Sequence, residues 1–466
     1  MTPRLVRLAA LGLVAAAVAS GGDARAPELR EFHGAYPERA RPNGVVRTFD
    51  ITAAPAIVTF GDGRRLDTWA YEGQVPGPTL RVRLGDTVRV RFTNRLPQPT
   101  TIHWHGVRVP NAMDGVPNVT QPAIQPGETF VYEFTPPDAG TFWFHPHVRA
   151  SEQIERGLFG VLVVEDPVPV PYSRDVVWVL DDWLLTPSGE IAPQFNTRHD
   201  LMHDGRWGNV VTVNGSTAER LEVAPGERLR LRLLNVANGR VFRPDLRGLD
   251  AAVIAVDGMY AARPLEPAGF ELAPGNRLDL DLTVPPAARG RRFLVVDRFT
   301  SQAIPLATIA VADVPPAATP RFASPARARV PAWSGLSAVP PRTEMRLNAR
   351  AGGPFGIQWT INDQAFDHET AMAQDVERLP LATWSKVRFT NESYRLHPMH
   401  IHGLFFKVLA RDGVPVDEPY WRDTVLLHAQ ETVDVGTVPL EPGLWMAHCH
   451  VLEHAESGMM TLVEVR

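Results

Sequence analysis

One phrase is written repeatedly along this chain: TLRVRLGDTVRVRFTN at 79–94, RLEVAPGERLRLRLLN at 220–235, and a shorter KVRFTN at 386–391. In the first copy apolar side chains fall at Leu80, Val82, Leu84, Val88, Val90 and Phe92, a period of two broken at Gly85-Asp86. Neighbouring side chains on an extended strand point to opposite faces, so the pattern reads as a β-hairpin or two successive half-buried strands. Its recurrence predicts duplicated β-sandwich modules rather than one large barrel. The 43 prolines and 36 glycines, frequent in turns, also favour an all-β chain. The modules are expected at 43–166, 174–313 and 343–466. Between the last two, 314–342 is rich in Pro, Ala and Arg, the composition of an extended linker.

The N-terminus reads as an export signal. Arg4 and Arg7 precede an apolar run at 8–19, and Ala24-Arg25-Ala26 offers a small-x-small cleavage site, which gives a signal peptide of residues 1–26. The mature chain is therefore expected outside the cytoplasm, periplasmic or secreted. The apolar run is short and Ala-rich, so no stable membrane insertion is expected. A net charge of -5 gives no reason to expect nucleic-acid binding. Cys449 is the single cysteine, which excludes an intramolecular disulfide.

Histidine placement carries the chemistry. The chain has 15 histidines, from which roughly half an HxH pair would arise by chance, yet there are four: His103/His105, His145/His147, His400/His402 and His448/His450. Each pair leaves one face of a strand, with Cα atoms about 6.5–7 Å apart. Two pairs lie in the first module and two in the last, so gathering eight imidazoles requires those modules to meet. Cys449 sits between His448 and His450 in HCHVLEHAESGMM, with His454 and Met459 following. Thiolate, imidazole and thioether suit a trigonal copper site with a long axial Met, and HPMHIHG at 397–403 can supply the second imidazole. A lone cysteine is ordinarily a small buried hydrophobe. The crowd of histidines argues otherwise here. If the segment is extended, His448 and His450 face away from the thiolate, which places a second metal centre one peptide unit from the first. Eight imidazoles suit three coppers, two ligands on one and three on each of the others. Four one-electron metals match the four electrons that convert O₂ to two waters.

The segments HWHG, HPH, HPMHIHG and HCHVLEHAESGMM, with MDGVP at 113–117 and TPPDAGTFWFHPH at 135–147, resemble the copper-binding motifs of the multicopper oxidases, in particular the bacterial laccase-like three-domain type. The resemblance implies three cupredoxin-like Greek-key β-sandwich domains and four copper ions. It implies a type 1 copper on His397, Cys449, His454 and Met459, and a type 2 copper on His103 and His400. One type 3 copper would be held by His105, His145 and His450, the other by His147, His402 and His448. Electrons would pass from Cys449 through His448 and His450. Related bacterial oxidases place a proton-delivering carboxylate where Asp114 stands; the alternative is that Asp114 only opens the Asp-Gly turn. A second acid common just after the last type 1 histidine is replaced by Ala455, with Glu456 adjacent. Asp423 and Asp434 are candidates to orient imidazoles from outside the ligand shell. His199 and His203 read as ordinary polar loop residues, with a copper-capture loop of His199, Met202 and His203 as the minor alternative.

The expected partners are O₂ and a small-molecule reductant: phenols or aromatic amines first, Cu(I) as the rival. The ten methionines are scattered, without a Met-rich segment. A non-catalytic copper carrier or electron-transfer protein would need the type 1 ligands but not four HxH pairs. No twin-Arg pair precedes the apolar run, which leans towards unfolded export with copper loaded afterwards.

Overall fold

The structure, a computed structural model, describes residues 40–466 except 61, 62, 327, 329 and 331–334. The expected signal peptide at 1–26 lies outside the described residues. Among the described residues strands dominate, with three short α-helices, α1 (Ala150–Glu155), α2 (Arg198–Met202) and α3 (Leu452–Glu456). Among the described residues no helix is long and apolar enough to cross a membrane.

Three two-sheet units follow one another. In the first, Val46–Thr59 runs parallel to Thr87–Asn94 in one sheet, and Thr79–Arg83 runs parallel to Gly160–Glu165 in the other. The second unit repeats both pairings with Asp175–Trp183 beside Arg228–Asn235 and Glu219–Val223 beside Ile304–Val311. The third repeats them with Thr343–Ala351 beside Ser385–Asn391 and Val376–Leu379 beside Met460–Val465. The all-β expectation holds, but the hairpin option for 79–94 does not. Its two strands lie in opposite sheets, because Gly85 (φ 93°) and the buried Asp86 turn the chain across the sandwich. Asp86 is fixed there by Asn43 Nδ2 at 2.7 Å and Arg47 Nε at 3.0 Å. The alternating apolar side chains then meet in the sandwich interior, where Leu80, Val82, Val88, Val90 and Phe92 are buried together.

The described part of 314–342 contains one short 3₁₀ turn, Leu336–Ala338. It follows the second unit through Ala317 N–H to Pro225 O (2.9 Å) and Arg228 stacked over Phe322 (3.8 Å). The first and third units share an apolar core, since Trp384, Phe405, Leu409, Trp421 and Val438 pack with first-unit residues such as Trp104 and Val109. That contact is what brings the four histidine pairs together.

Candidate metal centre

In the first unit His103 lies opposite His145 across an antiparallel pair, and in the third His400 lies opposite His448. Pleating turns His103 and His105 to one face of their strand, while His145, His400 and His448 lie in strands that end before His147, His402 and His450. Across the seam between units the rings stack: His103 on His402 at 3.7 Å and His105 on His400 at 3.8 Å. All eight histidines are buried. Nitrogens of His147, His402 and His448 lie within 4.8 Å of one another. The rings of His105, His145 and His450 are 5.0–5.8 Å apart, and those of His103 and His400 are 5.9 Å apart.

The tautomers follow from the outer hydrogen bonds. Nδ1–H donates from His103 to Asp114 O, from His145 to Pro146 O, from His400 to Asp423 O and from His448 to Cys449 O, each at 2.8–2.9 Å. His402 donates its Nδ1–H to Asp114 Oδ2 at 2.8 Å. Each of these rings therefore turns an Nε2 lone pair inward, and Nε2 of His103, His145 and His400 has no hydrogen-bond partner among the described residues. The Nε2 atoms of His402 and His448 face each other at 3.1 Å. Two acceptor lone pairs at that distance repel unless a cation lies between them. This fits a metal site.

Three contacts of 3.3–3.9 Å define the second cluster. Cys449 Sγ is 3.5 Å from His397 Nδ1 and 3.9 Å from His454 Nδ1, and those nitrogens are 3.3 Å apart. Ser393 Oγ–H donates to Asn391 Oδ1, so Ser393 Oγ accepts from His397 Nε2–H at 2.8 Å. His454 Nε2–H donates to His203 O at 2.8 Å. Both imidazoles thus offer Nδ1 to the space beside the sulfur. Met459 is buried in the same apolar cluster, with its carbonyl accepting from Cys449 N–H at 3.1 Å. Thiolate with two imidazoles, in an apolar pocket, suits copper. His448 donates to the carbonyl of Cys449 itself, so the two clusters are joined by one peptide unit, as the strand alternation predicts.

Asp114 does close the short turn Asn111–Met113, its N–H reaching Asn111 O at 3.1 Å. It also does more, since its buried carboxylate touches His402 at 2.8 Å and His103 at 3.2 Å. Gly115 (φ 83°) is obligatory there, because a Cβ would strike the backbone of Ile102. Asp423 is the second anchor: Oδ1 lies 3.2 Å from His105 Nε2, and the carboxylate takes both Nη groups of Arg277 at 2.9 and 2.6 Å. Arg277, from the middle unit, further donates to Thr141 O, Gly275 O and Asp257 O. The glycine of HWHG, Gly106, is required because a Cβ would collide with the Arg277 guanidinium and the Asp423 carboxylate. Asp434 does not orient an imidazole. It is neutralised by Lys386 (2.7 Å) and Arg388 (2.7 Å) on the far sheet of the third unit. Glu456 also points away from the histidines, accepting from Ser151 and Asn196.

Three contributors went unread in the sequence. Trp143 lies against His145 at 4.2 Å and His105 at 5.1 Å. Trp359 lies against His454 at 4.2 Å and His397 at 5.0 Å, and donates Nε1–H to Leu201 O. Arg277 carries no sequence signal, since one arginine in a polar strand looks like any other. His199 and His203 are exposed, but the loop expectation does not hold for His199, which lies within α2, and His203 caps its C-terminus; α2 lies over the second cluster.

Burial, reinforced by neighbouring imidazoles, holds His105, His145, His147, His397, His400 and His402 well below the usual histidine range; burial brings His448 to about 4 and His454 to about 3. The neutral, ligand-competent form is therefore favoured at pH 7. Burial likewise pushes the Cys449 thiol up, so a cation must supply the attraction that makes it a thiolate. The linkage has a definite sign. Histidines depressed on folding take up protons on unfolding, so stability rises with pH and is lost as pH falls from about 6.5 towards the folded values. Metal-free protein is expected to melt at progressively lower temperature between about pH 6.5 and 4, and copper-loaded protein to resist over the same interval. A melting temperature of the metal-free chain that is flat across that interval would contradict buried neutral imidazoles.

Family models described as multicopper oxidase match residues 52–169, 174–312 and 338–466. Multicopper oxidase MmcO of Mycobacterium tuberculosis is 31% identical over 92% of this chain and 89% of its own length. Copper resistance protein A of Pseudomonas syringae pv. tomato is 32% identical, over 50% of this chain and 45% of its own. Among solved structures, a multi-copper oxidase from Pseudomonas thermotolerans is 34% identical, covers 91% of this chain and 100% of its own, and superposes with a TM-score of 0.80. With both clusters assembled from the residues that carry the motifs, and with the Mycobacterium and Pseudomonas thermotolerans oxidases matching over nine-tenths of the chain, the protein is a member of the multicopper oxidase family.

Proposed function

We propose that this protein is an exported oxidase that withdraws electrons singly from a small reductant at the Cys449 cluster and uses four of them to reduce O₂ to water at the eight-histidine cluster. The observation that carries this is the covalent adjacency of Cys449, beside His397 and His454, to His448 and His450, which sit among the other six histidines. In this reading His397, Cys449, His454 and Met459 hold a type 1 copper, and the eight paired histidines hold a type 2 copper and two type 3 coppers in the sets read from the sequence. Copper at these positions supplies one-electron redox chemistry and a place for O₂ to bind. The chain fixes the ring tautomers through Asp114 and Asp423, excludes bulk water by burying every ligand, and holds an acidic group, Asp114, at the cluster wall to pass protons.

Phenols and aromatic amines are the first reductant class, because they give up electrons one at a time, the O–H or N–H proton passing to solvent. Their electrons would reach His454 across its hydrogen bond to His203 O. Cu(I) is the second reading, and one observation favours it. On α2, directly outside His454, Met202 is 42% exposed and the rings of His199 and His203 are 4.3 Å apart, a soft donor set. The copper resistance protein similar to half of this chain fits the same reading.

Oxygen uptake by the copper-loaded protein separates the two, with a methoxyphenol and Cu(I) as alternative reductants and spontaneous Cu(I) oxidation subtracted. Fast phenol turnover without added copper supports the first reading. Preference for Cu(I), with loss of about tenfold or more in Cu(I) turnover on M202L and no change with the phenol, supports the second. No uptake with either at full copper occupancy would remove the oxidase proposal.

A further inference from the structure

We propose that Asp204, in the middle unit that supplies none of the candidate ligands, is a positioning residue that fixes how His397 stands relative to His454 in the Cys449 cluster. This rests on the type 1 copper reading given above.

The stretch 203–206, His-Asp-Gly-Arg, leaves the C-terminal end of α2 and runs against the two segments that carry the histidines of this cluster. Three hydrogen bonds follow one another along it. His203 O accepts from His454 Nε2–H at 2.8 Å. Asp204 Oδ1 accepts from the backbone N–H of Leu396, the residue before His397, at 2.9 Å. The N–H of Arg206 donates to Oε2 of Glu453, the residue before His454, at 3.0 Å. Consecutive residues of one segment therefore hold both imidazoles, His454 by its ring and His397 through the backbone next to it.

The segment is itself firmly held. Trp207 Nε1–H donates to Asp204 O at 2.9 Å. The Arg206 guanidinium, 1% exposed, donates to Gln194 O and Ala192 O at 2.6 and 2.7 Å and lies 3.2 Å from Glu155 Oε1. Leu201 is buried with Cys449 and Met459, and its carbonyl accepts from Trp359 Nε1–H. Gly205 (φ 84°) permits the close approach, since a Cβ there would stand 2.6 Å from Val451 Cγ1 and 2.8 Å from Glu453 Oε2. The His397 side has more need of an outside anchor. Its ring is oriented by Ser393, four residues earlier on the loop that leads into the strand His397–Ile401, so ring and loop shift together. Asp204 ties that loop to the segment that holds His454. The two Nδ1 atoms, 3.3 Å apart, turn lone pairs into the same space, and keeping them there against their repulsion is what a preformed site requires.

Two variants of the full chain test this. Both remove the charge, but D204N keeps an oxygen to accept from Leu396 N–H and D204A does not. Loaded with copper, D204A is expected to show a shifted visible band and a changed copper hyperfine splitting for the Cys449 cluster. Copper affinity at that cluster should fall roughly tenfold, while the absorption of the eight-histidine cluster matches the parent. D204N should restore band, splitting and affinity. A role confined to joining the units would lower the melting temperature and leave both signals in place. In the metal-free protein, amide hydrogen exchange at Leu396 should quicken roughly tenfold in D204A and stay parent-like in D204N. Parent-like spectra or parent-like Leu396 exchange in D204A overturns the positioning role, and so do equal spectral shifts in the two variants, which would trace the effect to charge. A parent protein that binds copper at Cys449 without a visible band overturns the type 1 reading instead, whatever Asp204 does.

Discussion

Replacing Cys449 with serine is expected to bleach the visible colour of the copper-loaded protein and to cut reductant-driven oxygen uptake by more than about 100-fold, beyond the loss typical of an outer hydrogen-bond partner. The reason is specific to sulfur. Cys449 is the one soft anionic donor beside His397 and His454, and its own backbone leads to His448 and His450. Serine is close in size but is a poor ligand for copper in this setting, and its hydroxyl is hard to ionise in a buried site. The fold should survive, because the substitution leaves no cavity and costs at most about 1–3 kcal/mol for a buried hydroxyl without a partner. Copper analysis, visible absorption and oxygen uptake together check this. A C449S protein that keeps its colour and turnover would show that electrons do not pass through this residue.

The second large effect is expected at Arg277. R277M removes the partner of a carboxylate that is 1% exposed, leaving Asp423 buried, beside histidines and without its cation. Breaking a buried pair from one side costs about 3–5 kcal/mol. Burial already brings the Asp423 carboxyl up to about 6 even with Arg277 pulling it down, which indicates how poorly the site tolerates an unpaired charge. Copper affinity should fall as well, by roughly 10- to 100-fold, since Asp423 aligns His105 and its carbonyl aligns His400. Denaturant unfolding and copper titration of R277M, D423N and the double variant would separate the two effects. The double variant should regain part of the stability, because no charge is left unpaired, but not the copper affinity. Full additivity of the two losses would mean that the residues act independently and would refute the coupling.

These two residues also mark the boundary of what can be read from a chain of letters. Cys449 and the four histidine pairs were legible because a strand alternates its side chains. HxH therefore implies a shared face, and HCH implies ligands on opposite faces, before any tertiary contact is known. The repeated strand phrases were legible for the same reason, a local period of two. Their pairing was not. Residues 79–94 satisfy a hairpin and a sheet-crossing equally well, and only Asn43 and Arg47 closing on Asp86 decide between them.

Outer contacts were the least legible. Asp423 and Asp434 are equivalent as sequence, yet one touches His105 and the other is neutralised by Lys386 and Arg388 on a different sheet. Arg277 and Trp359 lie far in sequence from the histidines they serve, and α2 reaches His454 from the middle unit through a backbone carbonyl, which no side-chain motif records. The sequence by itself determined the candidate donor residues, the β architecture and the one-peptide link between the two clusters, because each follows from local periodicity and donor chemistry. The tertiary structure alone decided which groups fix the tautomers, which charges offset one another and what lies over the Cys449 cluster, because those depend on how the three sandwiches meet.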